Sequence, residues 1–266
     1  MFEKSDLHME HGENLSRNAK KKALRIEKIK QKRRENRKLK KEISKHNKKS
    51  QELDPNRNSK KFQKLEAISR LKSALEKDDN LKICIDLQFE TLMSEKELTH
   101  LARQLSRVYG ANKKSENPCK LSLANLDKTS KTFQICCDKN DGFANYILDF
   151  QEKPIQEVFH EKKSSVIYLT PDSEETLTEI SNEKIYVIGG LVDDSVKKHS
   201  TLNFAKENGF KTAKLPIEEF CERKKGSFKQ ILTIDQVFEI ILKKHQGLSW
   251  SESLKILPLK TGFCST

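Results

Sequence analysis

The segment YVIGGLVDD, residues 186–194, is the stretch of sequence that decides the fold. It begins as an apolar, β-branched run, breaks at Gly189 and Gly190, and ends on Asp193 and Asp194. Such a run predicts a buried strand whose carboxyl end presents carboxylates. The two acids are either part of an ordinary turn or the floor of a site.

Strands and helices alternate on both sides of this segment. Apolar runs predict strands within 81–87, 119–126, 164–170, 184–192 and 210–216. Helical patterns occupy 94–109, 171–180, 200–209, the later part of 231–245, and 249–257. In the first of these, Ser94 is the predicted N-cap, Glu97 is its capping-box partner, and Gly110 lies past the end. This alternation predicts an α/β domain over residues 81–266 with a mainly parallel sheet.

A basic segment near the amino terminus carries the whole charge imbalance of the chain. Between Arg17 and Lys49 stand 17 Lys and Arg against 3 Asp and Glu, a net charge of +14, whereas the whole chain has +13. Residues 1–50 therefore predict an arm, helical or disordered, that contacts nucleic acid or serves as a nuclear address. Residues 51–80 predict a connector, with turns at 54–61 and a short amphipathic helix within 62–77.

Several classes of protein find no support in the sequence. We expect no membrane span, secretion signal or mitochondrial presequence, because no apolar run approaches about 18 residues and the first residues include acids. The six cysteines lack CxxC spacing, so we expect reduced thiols of a nuclear or cytoplasmic protein and no metal site. GxGxxG, GxxxxGK[ST], GxSxG and HExxH are all absent.

The carboxyl ends of the predicted strands are where a ligand is expected, because parallel sheets collect ligands at this edge. The ends within 168–174, 189–194, 214–220 and 231–236 are small, apolar or backbone-rich, and none carries a basic cluster. With no phosphate-binding loop, a dinucleotide or nucleoside triphosphate is not expected. A cofactor without phosphate, such as the adenosine of S-adenosylmethionine, would suit these ends.

Longer runs of the sequence carry a family resemblance over residues 80–266. They are IYVIGGLVDDSVKK, TLNFAKENGFKTAKLPIEEF, KQILTIDQVFEIILKK and WSESLKILPLKTGF, with ICIDLQFETLMSEKELTHLARQLSRVYGANKK and YLTPDSE upstream. Together they resemble the tRNA position-nine N1-purine methyltransferases of the SPOUT superfamily, and NDGFANYILD is similar to the animal B paralogue branch.

The resemblance implies both a fold and a set of partners. The fold is an α/β domain with a mainly parallel sheet, helices on both faces and a C-terminal trefoil knot. The implied partners are tRNA and S-adenosylmethionine, with S-adenosylhomocysteine as product, and the basic arm resembles a tRNA-binding extension of the family. The implied protein is a monomer without membrane or metal, located in the nucleus, the cytoplasm or both.

Three residues match family positions near the target base. Asp193 matches the family's proposed proton acceptor, since N1 of guanine carries a proton that a carboxylate can take. For adenine, whose N1 has a lone pair, Asp193 would only orient the base. The alternative for Asp193 is a turn or N-cap aspartate. Asp86 and Gln104 match the other two positions, and their alternatives are a strand-end cap and a solvent-facing glutamine.

The cofactor positions implied by the resemblance lie at the strand ends. Leu169, Gly189, Leu215 and Thr233 match contacting positions, and the neighbours Thr170, Gly190, Leu191, Thr201, Leu232 and Ile234 are included with them. For the leucines the alternative is core packing. Asp194 is a second acid of the site or a helix-start charge, and Asp235 caps the following helix. The basic segment 221–229 is predicted to be a loop.

Two other functions remain compatible with the sequence. One is a non-catalytic RNA-binding scaffold or chaperone that keeps the fold and the arm. The other is a methyltransferase that acts on a different RNA. Asp193, Gly189 and the cofactor loops favour a methyltransferase over a scaffold, because a scaffold does not need them.

Overall fold

The computed structural model describes residues 31, 34, 35, 38, 55–192, 199–223, 232–257 and 263–265. The chain divides into two units, Met1–Lys60 and Lys61–Thr266. The basic arm lies almost wholly outside the described residues, so its order stays a prediction. The second unit contains the sheet and the candidate site.

Six parallel strands form the central sheet. They are β1 (Lys82–Asp86), β2 (Lys120–Ala124), β3 (Asp149–Phe150), β4 (Val166–Leu169), β5 (Ile185–Gly189) and β6 (Lys211–Ala213). Their spatial order is β3-β2-β1-β5-β4-β6, and each neighbouring pair is parallel. The predicted mainly parallel sheet is therefore confirmed. Because β5 lies between β1 and β4, Gly189 stands beside Asp86 and Ile188 stands beside Leu169.

Helices cover the sheet and link its strands. In chain order they are α1 (Pro55–Glu76), α2 (Glu95–Lys114), α3 (Lys131–Lys139), α4 (Ile155–Val158), α5 (Ser200–Glu207), α6 (Ile217–Phe220), α7 (Ile234–His245) and α8 (Trp250–Leu254). An antiparallel ribbon joins β7 (Cys221–Arg223) to β8 (Phe263–Ser265). None of the helices in the described residues has the length and apolar character that crossing a membrane requires.

Two apolar cores lie on opposite faces of the sheet, because side chains alternate along each strand. On β1, Ile83 and Ile85 join the larger core and Cys84 joins the smaller one. Helices α2, α3, α7 and α8 contribute to the larger core, whereas α4 and α5 contribute to the smaller one. The expectation of helices on both faces is thus confirmed.

Helix α2 begins where the sequence predicts and ends later. Ser94 is its N-cap and forms a capping box with Glu97, as predicted. The prediction that Gly110 lies past the end is wrong, because the helix continues to Lys114. The last turn contains the buried Asn112, whose side chain accepts from the backbone N–H of Cys119 at 2.9 Å and donates to its carbonyl at 3.1 Å. This tertiary contact outweighs the helix-breaking tendency of glycine.

The helix predicted over 171–180 is absent from that described segment. Instead the chain runs along β6: Thr176 bridges Lys214 in parallel, and the N–H of Leu177 donates to the Lys214 carbonyl at 2.8 Å. Leu177 is buried in the larger core by this pairing. The acids of the segment are typical of a first helical turn, but sheet pairing and burial of Leu177 override that local preference.

Other differences are smaller. The two-residue strand β3 and helix α3 were not predicted, helix α1 begins at Pro55 rather than after the predicted turn, and residues 221–223 of the predicted loop form β7. Proline suits the first position of a helix because no intrahelical partner is needed for its nitrogen. The knot stays a prediction, since the chain path includes 193–198 and 224–231, which lie outside the described residues.

Candidate active site

The carboxyl ends of β1 and β5 approach each other closely. The N–H of Gly190 donates to the Asp86 carbonyl at 2.7 Å. A Cβ on Gly190 would lie 2.7 Å from that same oxygen and 2.7 Å from Cδ2 of Leu87. Glycine is therefore needed here because the turn after β5 passes directly over the backbone of β1.

The Asp86 carboxylate lies at this edge and is fully buried. Its Oδ2 accepts from Nε2 of Gln88 at 2.5 Å and from the hydroxyl of Tyr168 at 3.0 Å. Burial raises the pKa of the carboxyl to about 6, while the hydrogen bonds from Gln88 and Tyr168 oppose the rise. Asp86 therefore ends its strand as predicted, and its carboxyl is bound to neighbouring side chains instead of facing solvent.

The ends of β4, β5 and β6 converge with the start of α5. The Thr201 hydroxyl of α5 donates to the Thr170 hydroxyl at 3.0 Å, and the Thr170 N–H donates to the Ala213 carbonyl at 3.0 Å. A Cβ on Gly189 would lie 2.7 Å from Cγ2 of Thr201. Leu169, the neighbour of Thr170, is buried in the larger core. The structure thus brings Leu169, Thr170, Gly189 and Thr201 together.

The remaining cofactor positions include three leucines and the start of α7, which pack against or belong to the larger core. Leu191, Leu215 and Leu232 are half-buried and pack against the larger core. Thr233 and Ile234 form the start of α7, where the Thr233 N–H donates to Oε1 of Gln236 at 2.9 Å. The three leucines therefore pack on the core as their alternative interpretation held, yet each keeps part of its apolar surface accessible.

Gln104 of α2 holds the first turn of α7. It is 6% exposed, and its Oε1 accepts from the Ile234 N–H at 2.9 Å. One turn further along α2, Nη2 of Arg107 contacts Oδ1 of Asp235 at 3.3 Å, and the two side chains form an ion pair. The solvent-facing alternative for Gln104 is therefore excluded, and Asp235 is the partner of an arginine on another helix.

Asp193, the predicted proton acceptor, lies outside the described residues, as does Asp194. Asp193 follows the end of β5 by four positions in the chain. Its role stays a prediction.

The sequence interpretation missed Tyr168 and Gln88, which are the hydrogen-bond partners of Asp86. Tyr168 alternates with Ile167 on a predicted strand and is indistinguishable there from an ordinary core residue. The signal that could have found Tyr168 is the alternation of side chains along each strand. Val166 and Tyr168 share one face of β4 and belong to the smaller core with Cys84. Cys84 in turn shares its face of β1 with Asp86.

The thiols and carboxylates of the described residues form no metal centre. No group of three His, Cys, Asp or Glu side chains in the described part of the chain is arranged to hold a metal ion. Cys84, Cys119, Cys136 and Cys137 are free thiols.

The solvent face of α2 is basic. Lys96, Arg103 and Lys114 are exposed, and their spacing places them on one stripe of the helix together with Arg107, whose charge is shared with Asp235. Such a stripe is typical of a surface that contacts a phosphate backbone.

Comparison with known proteins places this geometry in a family. The family model for tRNA (guanine(9)-N(1))-methyltransferase TRM10/TRM10A matches residues 13–262. The chain belongs to this family. The match confirms the resemblance from residue 80 to residue 262 and extends it into the basic arm.

Individual relatives agree with the family assignment. The chain is 37% identical over 243 residues to tRNA methyltransferase 10 homolog B of Homo sapiens, covering 90% of this chain and 76% of that protein. It is 33% identical over 186 residues to the tRNA (guanine(9)-N1)-methyltransferase of Schizosaccharomyces pombe, covering 69% and 60%. The crystal structure of full-length spTrm10 in complex with SAH matches with a TM-score of 0.60 at 32% identity, covering 67% of this chain and 95% of that one.

Proposed function

We propose that the protein is an S-adenosylmethionine-dependent tRNA methyltransferase that methylates N1 of the purine at position nine. The observation that carries this proposal is the family match over residues 13–262. The candidate site supports it, because Asp86, Gly189, Thr170 and Thr201 stand at one edge of a parallel sheet. Ligands in sheets of this kind bind at that edge.

The residues at this edge fit the proposed cofactor by their chemistry. Half-buried Leu191, Leu215 and Leu232 offer apolar surface, and Gly189 and Gly190 permit close approach of a backbone. When bound, S-adenosylmethionine would supply a methyl group carried on a sulfonium sulfur. Once the purine nitrogen has taken the methyl group, the sulfur is a neutral thioether and the product is S-adenosylhomocysteine. The protein has to orient the two reactants and exclude water.

Asp193 is the proposed proton acceptor. Guanine N1 carries a proton that must leave when the methyl group arrives, and a carboxylate within hydrogen-bond reach takes it. For an adenine target, N1 already has a lone pair, so Asp193 orients the base instead. Gln104 and Asp86 contribute in our proposal by holding the first turn of α7 and the Gly189–Gly190 turn close to that base.

Transfer RNA is the proposed partner, with the arm of residues 1–50 and the stripe on α2 as its phosphate contacts. Residues 51–80 then connect the arm to the methyltransferase domain, 81–266. The net charge of +14 between Arg17 and Lys49 supports this division. Deleting residues 1–50 should weaken tRNA binding and flatten its salt dependence without changing cofactor affinity. Equal salt slopes for full-length and truncated protein would exclude the arm as the main contact.

The proposal is tested by methylation of unmodified tRNA transcripts that carry G or A at position nine, followed by nucleoside mass spectrometry. We expect 1-methylguanosine, 1-methyladenosine or both, and no product from a transcript with a pyrimidine at that position. A protein that binds tRNA but neither methylates it nor gives heat with S-adenosylmethionine in calorimetry would be a scaffold. Methylation of another RNA alone would change the substrate class.

We further propose a monomer located in the nucleus, the cytoplasm or both.

A further inference from the structure

Tyr168 reaches from β4 to Asp86 on β1, although β5 lies between those two strands. Tyr168 is fully buried, and its hydroxyl donates to Oδ2 of Asp86 at 3.0 Å. Tyr168, Gly189 and Asp86 all face the side of the sheet that holds the smaller core, since Tyr168, Val187 and Cys84 belong to that core. A tyrosine on one strand thus donates a hydrogen bond to a carboxylate two strands away.

Gly189 makes this reach possible. A Cβ at Gly189 would lie 3.3 Å from the Tyr168 hydroxyl oxygen and 2.7 Å from Cγ2 of Thr201. A side chain on β5 would therefore occupy the space through which the phenol passes. The missing Cβ therefore serves the Tyr168–Asp86 contact.

Only Asp86 among the described groups of this network titrates near neutral pH. The titratable groups that face it are Tyr168 from β4 and Cys84, two residues back on β1. Burial raises the pKa of the Cys84 thiol to about 12 and that of the Tyr168 phenol well above its ordinary value. The short 3-10 helix that follows β1, Gln88–Leu92, contributes Gln88 and Phe89, and α5 contributes Thr201 and Phe204; none of these four side chains carries a charge.

We propose that Tyr168 is a positioning residue for methyl transfer, acting through the Asp86 carboxylate that it holds beneath the Gly189–Gly190 turn. The inference rests on the proposed methyltransferase function. Asp86 is also tied to this turn through its own carbonyl, which accepts from the Gly190 N–H at 2.7 Å. A carboxylate that loses its phenol donor is freer to rotate and binds a proton more readily, so both the alignment of Gln88 and the ionised state of Asp86 depend on Tyr168.

The test is Tyr168→Phe, assayed for kcat and KM from pH 5.5 to 9. Because a charge-assisted hydrogen bond is lost, we expect kcat to fall about tenfold with little change in KM for tRNA, and the acid limb of kcat to move up by about one pH unit. Tyr186→Phe is the matched control. Tyr186 is equally buried on β5, but it faces the larger core and its hydroxyl accepts from the Ser181 N–H at 2.8 Å. The acid limb of the pH profile of kcat should be the same in Tyr186→Phe as in the wild type.

The double variant Tyr168→Phe/Asp86→Asn separates action through Asp86 from loss of packing. If Tyr168 acts through Asp86, the double variant has the turnover of Asp86→Asn alone. Additive losses, or an acid limb that does not move in Tyr168→Phe, would overturn the proposal. Should Tyr168→Phe fail to fold, 3,5-difluorotyrosine at position 168 keeps the hydroxyl and makes it a stronger donor, so the limb should move to lower pH, and an unmoved limb overturns the proposal.

A readout without catalysis keeps this proposal distinct from the proposed function. The Asp86 carboxyl pKa in the folded protein, followed by site-labelled carbon NMR, should rise in Tyr168→Phe and stay constant in Tyr186→Phe. Wild-type protein that methylates no tRNA would refute the proposed function while leaving this contact measurable. Active wild type with an unchanged Asp86 pKa in Tyr168→Phe would refute the role of Tyr168 alone.

Discussion

The two edges of the parallel sheet use polar side chains in different ways. At the amino edge, side chains bond to the backbone: Nδ2 of Asn80 donates to the Pro118 carbonyl at 3.0 Å, and Nζ of Lys82 donates to the Asn182 carbonyl at 2.8 Å. At the carboxyl edge, side chains bond to one another, as Tyr168 and Gln88 do to Asp86. The first arrangement fixes the path of the chain, whereas the second couples the positions of chemical groups.

The amino edge also contains a cavity of about 440 Å³. Two polar atoms of the residues that line it, Nε of Arg70 and Oδ1 of Asn182, are buried without a hydrogen-bond partner among the described residues. Space and unpaired polar atoms therefore do not by themselves identify the functional edge. The coupled network favours the carboxyl edge, and substitutions at each edge can test that distinction.

The largest effect is expected at Asp193, which follows the carboxyl end of β5 by four positions in the chain. Asp193→Asn should lower turnover on a transcript with G at position nine by roughly 10²–10⁴-fold, because general-base catalysis is lost. With A at that position the loss should be smaller, since no proton has to be removed. Turnover is measured at neutral pH with saturating tRNA and S-adenosylmethionine.

Binding measurements are the control for this variant. Asp193→Asn should retain its affinity for tRNA and for the cofactor, because the asparagine has the same shape. Unchanged turnover on the guanine transcript would remove Asp193 from the role of proton acceptor.

The next effect concerns Asp86 and the pH dependence of stability. Its pKa is about 6 in the folded protein against an ordinary 3.8, so the folded state binds the proton more tightly. The contribution of Asp86 to stability is therefore fully present below pH 3.8 and is lost as pH rises through about 6. Asp86→Asn removes this loss, which amounts to up to about 3 kcal/mol. Urea denaturation of both proteins between pH 4 and pH 8 measures it.

The test compares the free energies of unfolding of Asp86→Asn and the wild type at each pH. The free energy of unfolding of Asp86→Asn minus that of the wild type should increase from pH 4 to about pH 6 and then level off. A constant difference over this range would mean that the Asp86 carboxyl is not desolvated as the structure shows, and the contrast between the edges would weaken.

A third, smaller effect is expected from closing the space over β1. Gly190→Ala places a methyl group 2.7 Å from the Asp86 carbonyl oxygen. Since a backbone oxygen cannot move aside easily, we expect a loss of about 1–3 kcal/mol in the free energy of unfolding. The matched variant is Gly110→Ala in α2, where a Cβ meets nothing within 4 Å. It should gain up to about 1 kcal/mol, so the same substitution has opposite signs at the two positions.

The sequence predicts the frame of the molecule better than its coupled contacts. Strands β1, β2, β4 and β5 are recognisable because each lies in an apolar run, β6 lies inside the strand predicted over 210–216, and the capping box at Ser94 is a local signal. Strand β3 has only two residues, and segment 171–180 pairs with β6 through contacts that local sequence does not encode. The conformations of β3 and of segment 171–180 are therefore decided by pairing with distant parts of the chain.

The candidate site shows the same limit. Asp86, Gly189 and Gln104 are named from the resemblance, but no spacing in the sequence indicates that Tyr168 bonds Asp86 from two strands away or that Gln104 caps α7. Such contacts depend on strand order, which places β5 between β1 and β4 although β2, β3 and β4 precede β5 in the chain.

The smallest effect is expected at the amino edge, from Asn182→Ala. The Asn182 side chain makes one long contact, from Nδ2 to Oδ1 of Asp79 at 3.4 Å, and the carbonyl used by Lys82 remains in the variant. We expect the free energy of unfolding to change by less than about 0.5 kcal/mol and kcat/KM to stay at the wild-type value. Thr201→Val is the counterpart at the carboxyl edge, because it removes a hydroxyl contact of similar size with Thr170. It should lower kcat/KM while Asn182→Ala does not. If Asn182→Ala instead reduced methylation as much as Thr201→Val, the amino-edge cavity would belong to the functional machinery, and the distinction between side chains that fix the chain and side chains that serve the reaction would fail.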